Sequence, residues 1–114
     1  MEKTIREMIT ERSEECRKID ELGPKRASEI LVELSSLLSS LNRETTEAHY
    51  WLNLKRVELL KEHKTVARAK MVSESLAEWK DWADRVTQGE AVEEMIRSLK
   101  YFLRAAEREL KEFS

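Results

Sequence analysis

Glycine and proline are nearly missing, with 2 Gly and 1 Pro in 114 residues, where average usage would supply roughly twelve in every hundred. The tight turns of β-hairpin folds draw on these residues, so strand-rich architectures are excluded and helix is the expectation. Cysteine occurs once, as Cys16; no intrachain disulfide, thiol pair or multi-cysteine zinc site can form. With no histidine near it in sequence, Cys16 reads as a small apolar filler on a helix rather than a nucleophile. Two isolated glycines cannot make a phosphate-cradling loop. Neither histidine has a metal-site neighbour: His49 and His63 are too far apart for a zinc-protease pair, and Thr46 and Leu60 stand where a Glu-x-x-His di-iron motif needs Glu. No apolar run approaches the roughly 18 residues of a membrane span, and the opening MEKTIRE is charged, unlike a signal peptide. We expect a cytoplasmic chain that does not enter a membrane. Charge of neither sign dominates: 21 basic against 23 acidic residues give a net charge of -2, which excludes a polycation built to coat nucleic acid.

What is present is charge and helical periodicity. Charged residues make up 39% and hydrophobic ones 40%, a balance of long solvated helices, and 114 residues suffice for one domain with a narrow core. Thr4 and Glu7 have capping-box spacing, so a short helix is expected over about 4–22, with Ile5, Met8, Ile9, Cys16 and Ile19 on its apolar side. Gly23-Pro24 ends it. Over about 25–62 the residues Ala27, Leu31, Leu34, Leu38, Leu41, Thr45, Ala48, Leu52, Lys55 and Leu59 step by four and three, a heptad seam that Ile30, Leu37 and Trp51 widen. Such a helix would be roughly 57 Å long. The serines of LSSLLSSL, 34–41, either admit a neighbouring backbone or face water. Thr65 is the expected N-cap of a helical arm over about 65–113, with a kink or break near Gly89. Its seams are Ala69, Val72, Leu76, Trp79, Ala83 and Val86, then Val92, Ile96, Leu99, Leu103, Ala106, Leu110 and Phe113. The expected fold is therefore all-α. It is a long antiparallel helical hairpin with a short N-terminal helix, coiled-coil or bundle-like. It is also oligomeric, because two amphipathic helices leave apolar surface uncovered.

Three constellations bear on function. Residues 55–70 carry Lys55, Arg56, Lys61, Lys64, Arg68 and Lys70 against Glu58 and Glu62, a balance of +4. A basic hairpin tip using Lys61, Lys64, Arg68 and Lys70 would contact phosphates, although the stretch has no aromatic to stack on bases. The aromatics of EWKDW, Trp79 and Trp82, lie three apart and cannot both point to a seam's centre, so one is expected at an interface edge, with core packing the favoured reading for tryptophans on a helical stripe. Glu44-x-x-Glu47 and Glu78-x-x-Asp81 would face each other across the hairpin. This resembles the arrangement with which all-α nucleoside triphosphate pyrophosphohydrolases hold magnesium over a pyrophosphate, and the resemblance implies a metal-dependent hydrolase. Acids are 23 of 114 residues, however, and such spacings also arise as solvated charge faces, which is how we read them.

From His63 onward, Lys64-Thr65, VARAKMVSES, EWKDW and LKYFLRAAEREL follow in an order that resembles small helical proteins encoded in phage early or recombination regions. That resemblance implies an accessory protein without a defined activity. The chain is thus read as a non-enzymatic interaction or assembly module, with no catalytic residues, metal or cofactor. We expect a homo-oligomer, preferably a dimer, and a protein partner, with contacts through Leu31, Leu38, Trp51, Trp79, Trp82, Leu99, Leu103 and Leu110. Nucleic-acid binding at the basic tip is the alternative.

Overall fold

The structure, a computed structural model, describes residues 3–63 and 65–112. Helix accounts for 94% of them and no strand is present among them, so the chain is all-α. Four helices follow in order: α1 Ile5–Arg17, α2 Ile19–His63, α3 Val66–Ser73 and α4 Ala77–Glu112. Two compact units divide the chain, one formed by Ser40–Gly89 and the other by the segments before and after it.

In the unit formed by the flanking segments, α1 begins where Thr4 accepts a hydrogen bond from the Glu7 amide at 3.1 Å. The expected helix over 4–22 is interrupted twice. It first ends at Lys18, whose backbone leaves the helical region at φ -106° and ψ 19°. It is then broken at Gly23, with φ 86° and ψ 173°. The second break is dictated locally, since that positive φ suits glycine and Pro24 contributes no amide to the turn before it. No glycine or proline marks the first. Across that break Arg12 pairs with Glu33 at 2.6 Å and Glu15 with Arg26 at 2.8 Å. Rising numbers on α1 meet falling numbers on α2, so α1 lies back along α2. The core beneath them holds Ala27, Ile30 and Leu34 of α2 with Val92, Met95 and Leu99 of α4.

In the Ser40–Gly89 unit, Glu44 pairs with Arg85, His49 stacks near Trp82, and Arg56 donates to Ser73. Falling numbers on the second partner again show antiparallel packing. Leu41, Ala48, Leu52 and Ala69 are buried there, together with Ser73. The helical arm expected from Thr65 begins as Thr65 accepts from the Arg68 amide at 3.3 Å, but it stops after Ser73. Ser73 donates to the Lys70 carbonyl and Ser75 to the Val72 carbonyl, both at 2.7 Å. Serines that bond nearby carbonyls compete with the helical ladder, and two of them within three residues open the turn before Ala77. At Gly89, by contrast, α4 is continuous helix.

Burial along α2 keeps one line of the expected heptad seam, since Ala27, Leu34, Leu41 and Ala48 stand seven residues apart and Leu52 also belongs to it. At about 100° per residue, Ala27, Ile30, Leu34, Leu41, Ala48 and Leu52 fall within an arc of roughly 60°, and all six are buried. Ile30, expected on the flank, is fully enclosed, whereas Leu31 and Leu38 are only half-buried. Ser35, Ser36, Ser39 and Ser40 face solvent, and Ser35 bonds back to the Leu31 carbonyl. Phe113, assigned to the last seam, lies outside the described residues.

Candidate interaction surface

The core arc leaves the opposite side of α2 free, and in the Ser40–Gly89 unit that side is not polar. Tyr50, Trp51, Leu54 and Val57 are 59%, 54%, 40% and 52% exposed. Tyr50, Leu54 and Val57 recur at i, i+4 and i+7 and so share one face, with Trp51 on its edge. The two aromatic rings meet edge-on, centroids 5.6 Å apart and planes at 75°. Half of each ring system alone leaves roughly 200 Å² of apolar surface in water. With Leu54 and Val57 added, the patch enters the range of about 300–600 Å² typical of the largest, often functional, patch on a monomer.

Charges bracket this face. Glu47 stands seven residues before Leu54 and Lys61 seven residues after it, on nearly the same line of the helix. Both are exposed, and among the described residues neither forms an ion pair. Lys55 and Glu58, on the same stretch, are paired with each other at 3.6 Å.

Beside the apolar face an open hollow of about 270 Å³ is lined by Glu44, Glu47, Ala48, Trp51, Asp81 and Arg85. Three of the four carboxylates of the hydrolase-like pattern do converge here, and Glu78 does not line the hollow. Sequence reasoning missed Arg85. Its guanidinium bonds Glu44 and also both oxygens of Asp81, at 3.2 and 3.3 Å. Burial works against the charged form of Arg85, yet the hydrogen bonds and charges of Asp81 and Glu44 outweigh it and hold its pKa above the usual value. Two carboxylates thus share one arginine, which offsets one of their two charges, and no group of metal-ligating side chains forms among the described residues. What the hollow does chemically is tie α2 to α4: Asp81 of α4 accepts from Arg85 Nε and orients the guanidinium, whose Nη1 donates across to Glu44 of α2. The Trp82 ring lies 5.5 Å from His49, and Trp79 and Trp82 are both half-buried.

The expected tip residues lie where α2 gives way to α3. Lys61, Arg68 and Lys70 are exposed, and none forms an ion pair among the described residues. Lys64 lies outside the described residues. Arg56 is instead half-buried against Ser73, at 3.2 Å. Of the expected contact residues in the other unit, Leu99 is 1% exposed and packs in its own core, Leu103 is half-buried, and Leu110 is exposed.

That unit holds a second charge network that no local spacing reveals, because its members come from two helices. Glu15 accepts from Arg26 at 2.8 and 3.0 Å and pairs with Arg12, which also reaches Glu33. The hydrogen bond from Arg26 holds the Glu15 carboxyl below its ordinary value against the opposing effect of burial, helped by the charges of Arg26 and Arg12. Cys16 lines a groove with Ile9, Ser13, Ala91 and Met95. Burial, then the neighbouring Glu15 charge, push its thiol pKa up, which suits a filler and disfavours a nucleophile.

No helix among the described residues is long and apolar enough to cross a membrane. Comparison with protein-family models, with curated proteins and with solved structures gives no match.

Proposed function

We propose that this chain is a non-enzymatic assembly module that works as a homodimer, built on a helical hairpin and joined through the outer face of α2. The observation that carries this reading is the exposed row Tyr50, Leu54 and Val57 with Trp51 on its edge, bracketed by the unpaired Glu47 and Lys61. A second copy laid antiparallel and centred on Leu54 buries the row against itself. It also brings each Glu47 opposite the Lys61 of the other copy, so one twofold contact satisfies both the apolar surface and the two free charges. The heptad seam expected to join the copies supports this placement by its own burial, since Leu34, Leu41, Leu52 and Leu99 are already enclosed within the chain.

Sedimentation equilibrium at micromolar concentration tests the proposal. A mass near twice 13.5 kDa is expected for the wild type, and a mass near 13.5 kDa for Leu54→Glu. That substitution places a carboxylate at the centre of a desolvated contact without a partner. Leu54 is 40% exposed, so the variant keeps its helical circular dichroism. A concentration-independent monomer for the wild type, or an unchanged dimer in Leu54→Glu, overturns the reading.

A further inference from the structure

The exposed side of α4 in the other unit carries a different chemistry. Arg97, Tyr101, Arg104 and Arg108 recur at i, i+4, i+7 and i+11, so they form one row along a helix. Tyr101 is 77% exposed and the three arginines are exposed on either side of it. Shallow hollows flank the ring on both sides, one lined by Glu94, Arg97, Ser98 and Tyr101, the other by Tyr101, Arg104, Ala105 and Arg108. Among the described residues, none of the three guanidiniums has an ion-pair or side-chain hydrogen-bond partner. Arg12, Arg26 and Arg85, by contrast, are each paired with carboxylates.

From 97 to 108 the chain holds Arg97, Lys100, Arg104 and Arg108 against a single acid, Glu107. Glu107 is itself paired with Lys111 at 3.6 Å. The row extends roughly 16 Å along the axis, enough to follow a few nucleotides. An exposed phenol ring between guanidiniums offers a face for one base and cations for the phosphates on either side, the combination by which single strands are bound without base-specific hydrogen bonds. A duplex hides its base faces inside the stack and would leave Tyr101 unused.

We infer that the Arg97–Tyr101–Arg104–Arg108 row of α4 binds single-stranded nucleic acid, with Tyr101 stacking on a base and the arginines on the flanking phosphates. The inference goes beyond the dimer and does not depend on it. The row belongs to the unit formed by the flanking segments, whereas the proposed dimer face belongs to Ser40–Gly89.

The test is fluorescence anisotropy of a labelled 12-nucleotide oligothymidine, its RNA counterpart and a DNA duplex of equal length, with the full chain, at two salt concentrations. Wild type should bind both single strands more tightly than the duplex. Tyr101→Ala should weaken single-strand binding about 5- to 150-fold, Tyr101→Phe should restore most of it, and neither should change the duplex signal. The triple variant Arg97→Gln/Arg104→Gln/Arg108→Gln should lower the slope of log affinity against log salt by about 2. Each altered side chain is exposed, so circular dichroism and sedimented mass should match the wild type. No single-strand binding at low salt, tighter duplex than single-strand binding, or equal affinity of wild type and Tyr101→Ala would overturn the inference. If Leu54→Glu abolishes the dimer and leaves oligonucleotide binding in place, the two proposals stand apart. Unaltered binding by the triple variant, with Lys61→Glu/Arg68→Glu reducing it instead, would assign the site to the α2–α3 tip and likewise overturn it.

Discussion

Reversing the charges that bracket the outer face of α2 tests the register of the dimer as well as its existence. In the antiparallel contact centred on Leu54, Lys61→Glu replaces two attractive Glu47–Lys61 pairs with two Glu–Glu oppositions. Each exposed pair contributes about 0.2–1 kcal/mol, and a like-charge opposition costs a similar amount. Two pairs lost and two repulsions gained therefore sum to roughly 1–4 kcal/mol, or about 5- to 900-fold in the dimer dissociation constant. Glu47→Lys alone should do the same. The double variant Glu47→Lys/Lys61→Glu restores both pairs with inverted polarity, so its dissociation constant should return to within a few-fold of wild type. Lys61 stands in the last turn of α2, where a cation suits the helix dipole, so Lys61→Glu also weakens the helix by about 0.3–1 kcal/mol. Thermal melts of the single variants separate that contribution, because it appears in monomer stability and persists in the double variant. Sedimentation equilibrium over a concentration series, at low and at high salt, measures the association. High salt should compress the differences among the four proteins. Failure of the double reversal to rescue a weakened single variant would refute the antiparallel register, whatever the fate of the dimer itself.

Gly23 and Gly89 should respond oppositely to alanine. Gly23→Ala forces a side chain into φ 86° and should lower the melting temperature, with a cost of about 1–2 kcal/mol. Gly89 lies in continuous helix, and a methyl group added there would meet nothing within 4 Å, so Gly89→Ala should stabilise by about 0.5–1 kcal/mol, and differential scanning calorimetry reads both. Glu15→Gln should cost about 1 kcal/mol at neutral pH through loss of its arginine clamp. Because the folded carboxyl titrates below its ordinary value of 4.5, that stabilisation is complete above this pH and disappears as pH falls through the lowered value. Urea melts at pH 7 and under acid conditions should therefore show the wild type and Glu15→Gln converging in acid. Cys16 should alkylate with iodoacetamide more slowly than a free cysteine peptide at the same pH, since its raised pKa leaves less thiolate, and mass spectrometry of timed aliquots measures the rate.

Local chemistry was enough for the helical class and for several boundaries. Scarce glycine and proline exclude turn-rich folds, Thr4 and Thr65 offer hydroxyls to orphan amides, and Gly23-Pro24 writes its own break, because each effect acts within one or two turns of chain. The apolar residues were visible as well, but not their division into core and surface. Ile30 and Trp51 look alike as flank positions of a heptad, yet Ile30 is enclosed and Trp51 is half in water. Which flank is covered depends on where another helix lies. Likewise, Glu44, Glu47 and Asp81 could be paired on paper by spacing alone. Only packing brings in Arg85, from 41 positions away, and turns a metal-like set of acids into a charge clamp. The break at Lys18 is likewise hidden from local chemistry: no residue there forbids helix, and beyond the turn Arg12 and Glu15 meet Glu33 and Arg26 on the next helix. Sequence by itself determined where helices can form and which side chains are apolar or charged. Tertiary structure decided which of them are paired, which are buried, and which remain exposed, because those outcomes rest on contacts between segments far apart in the chain.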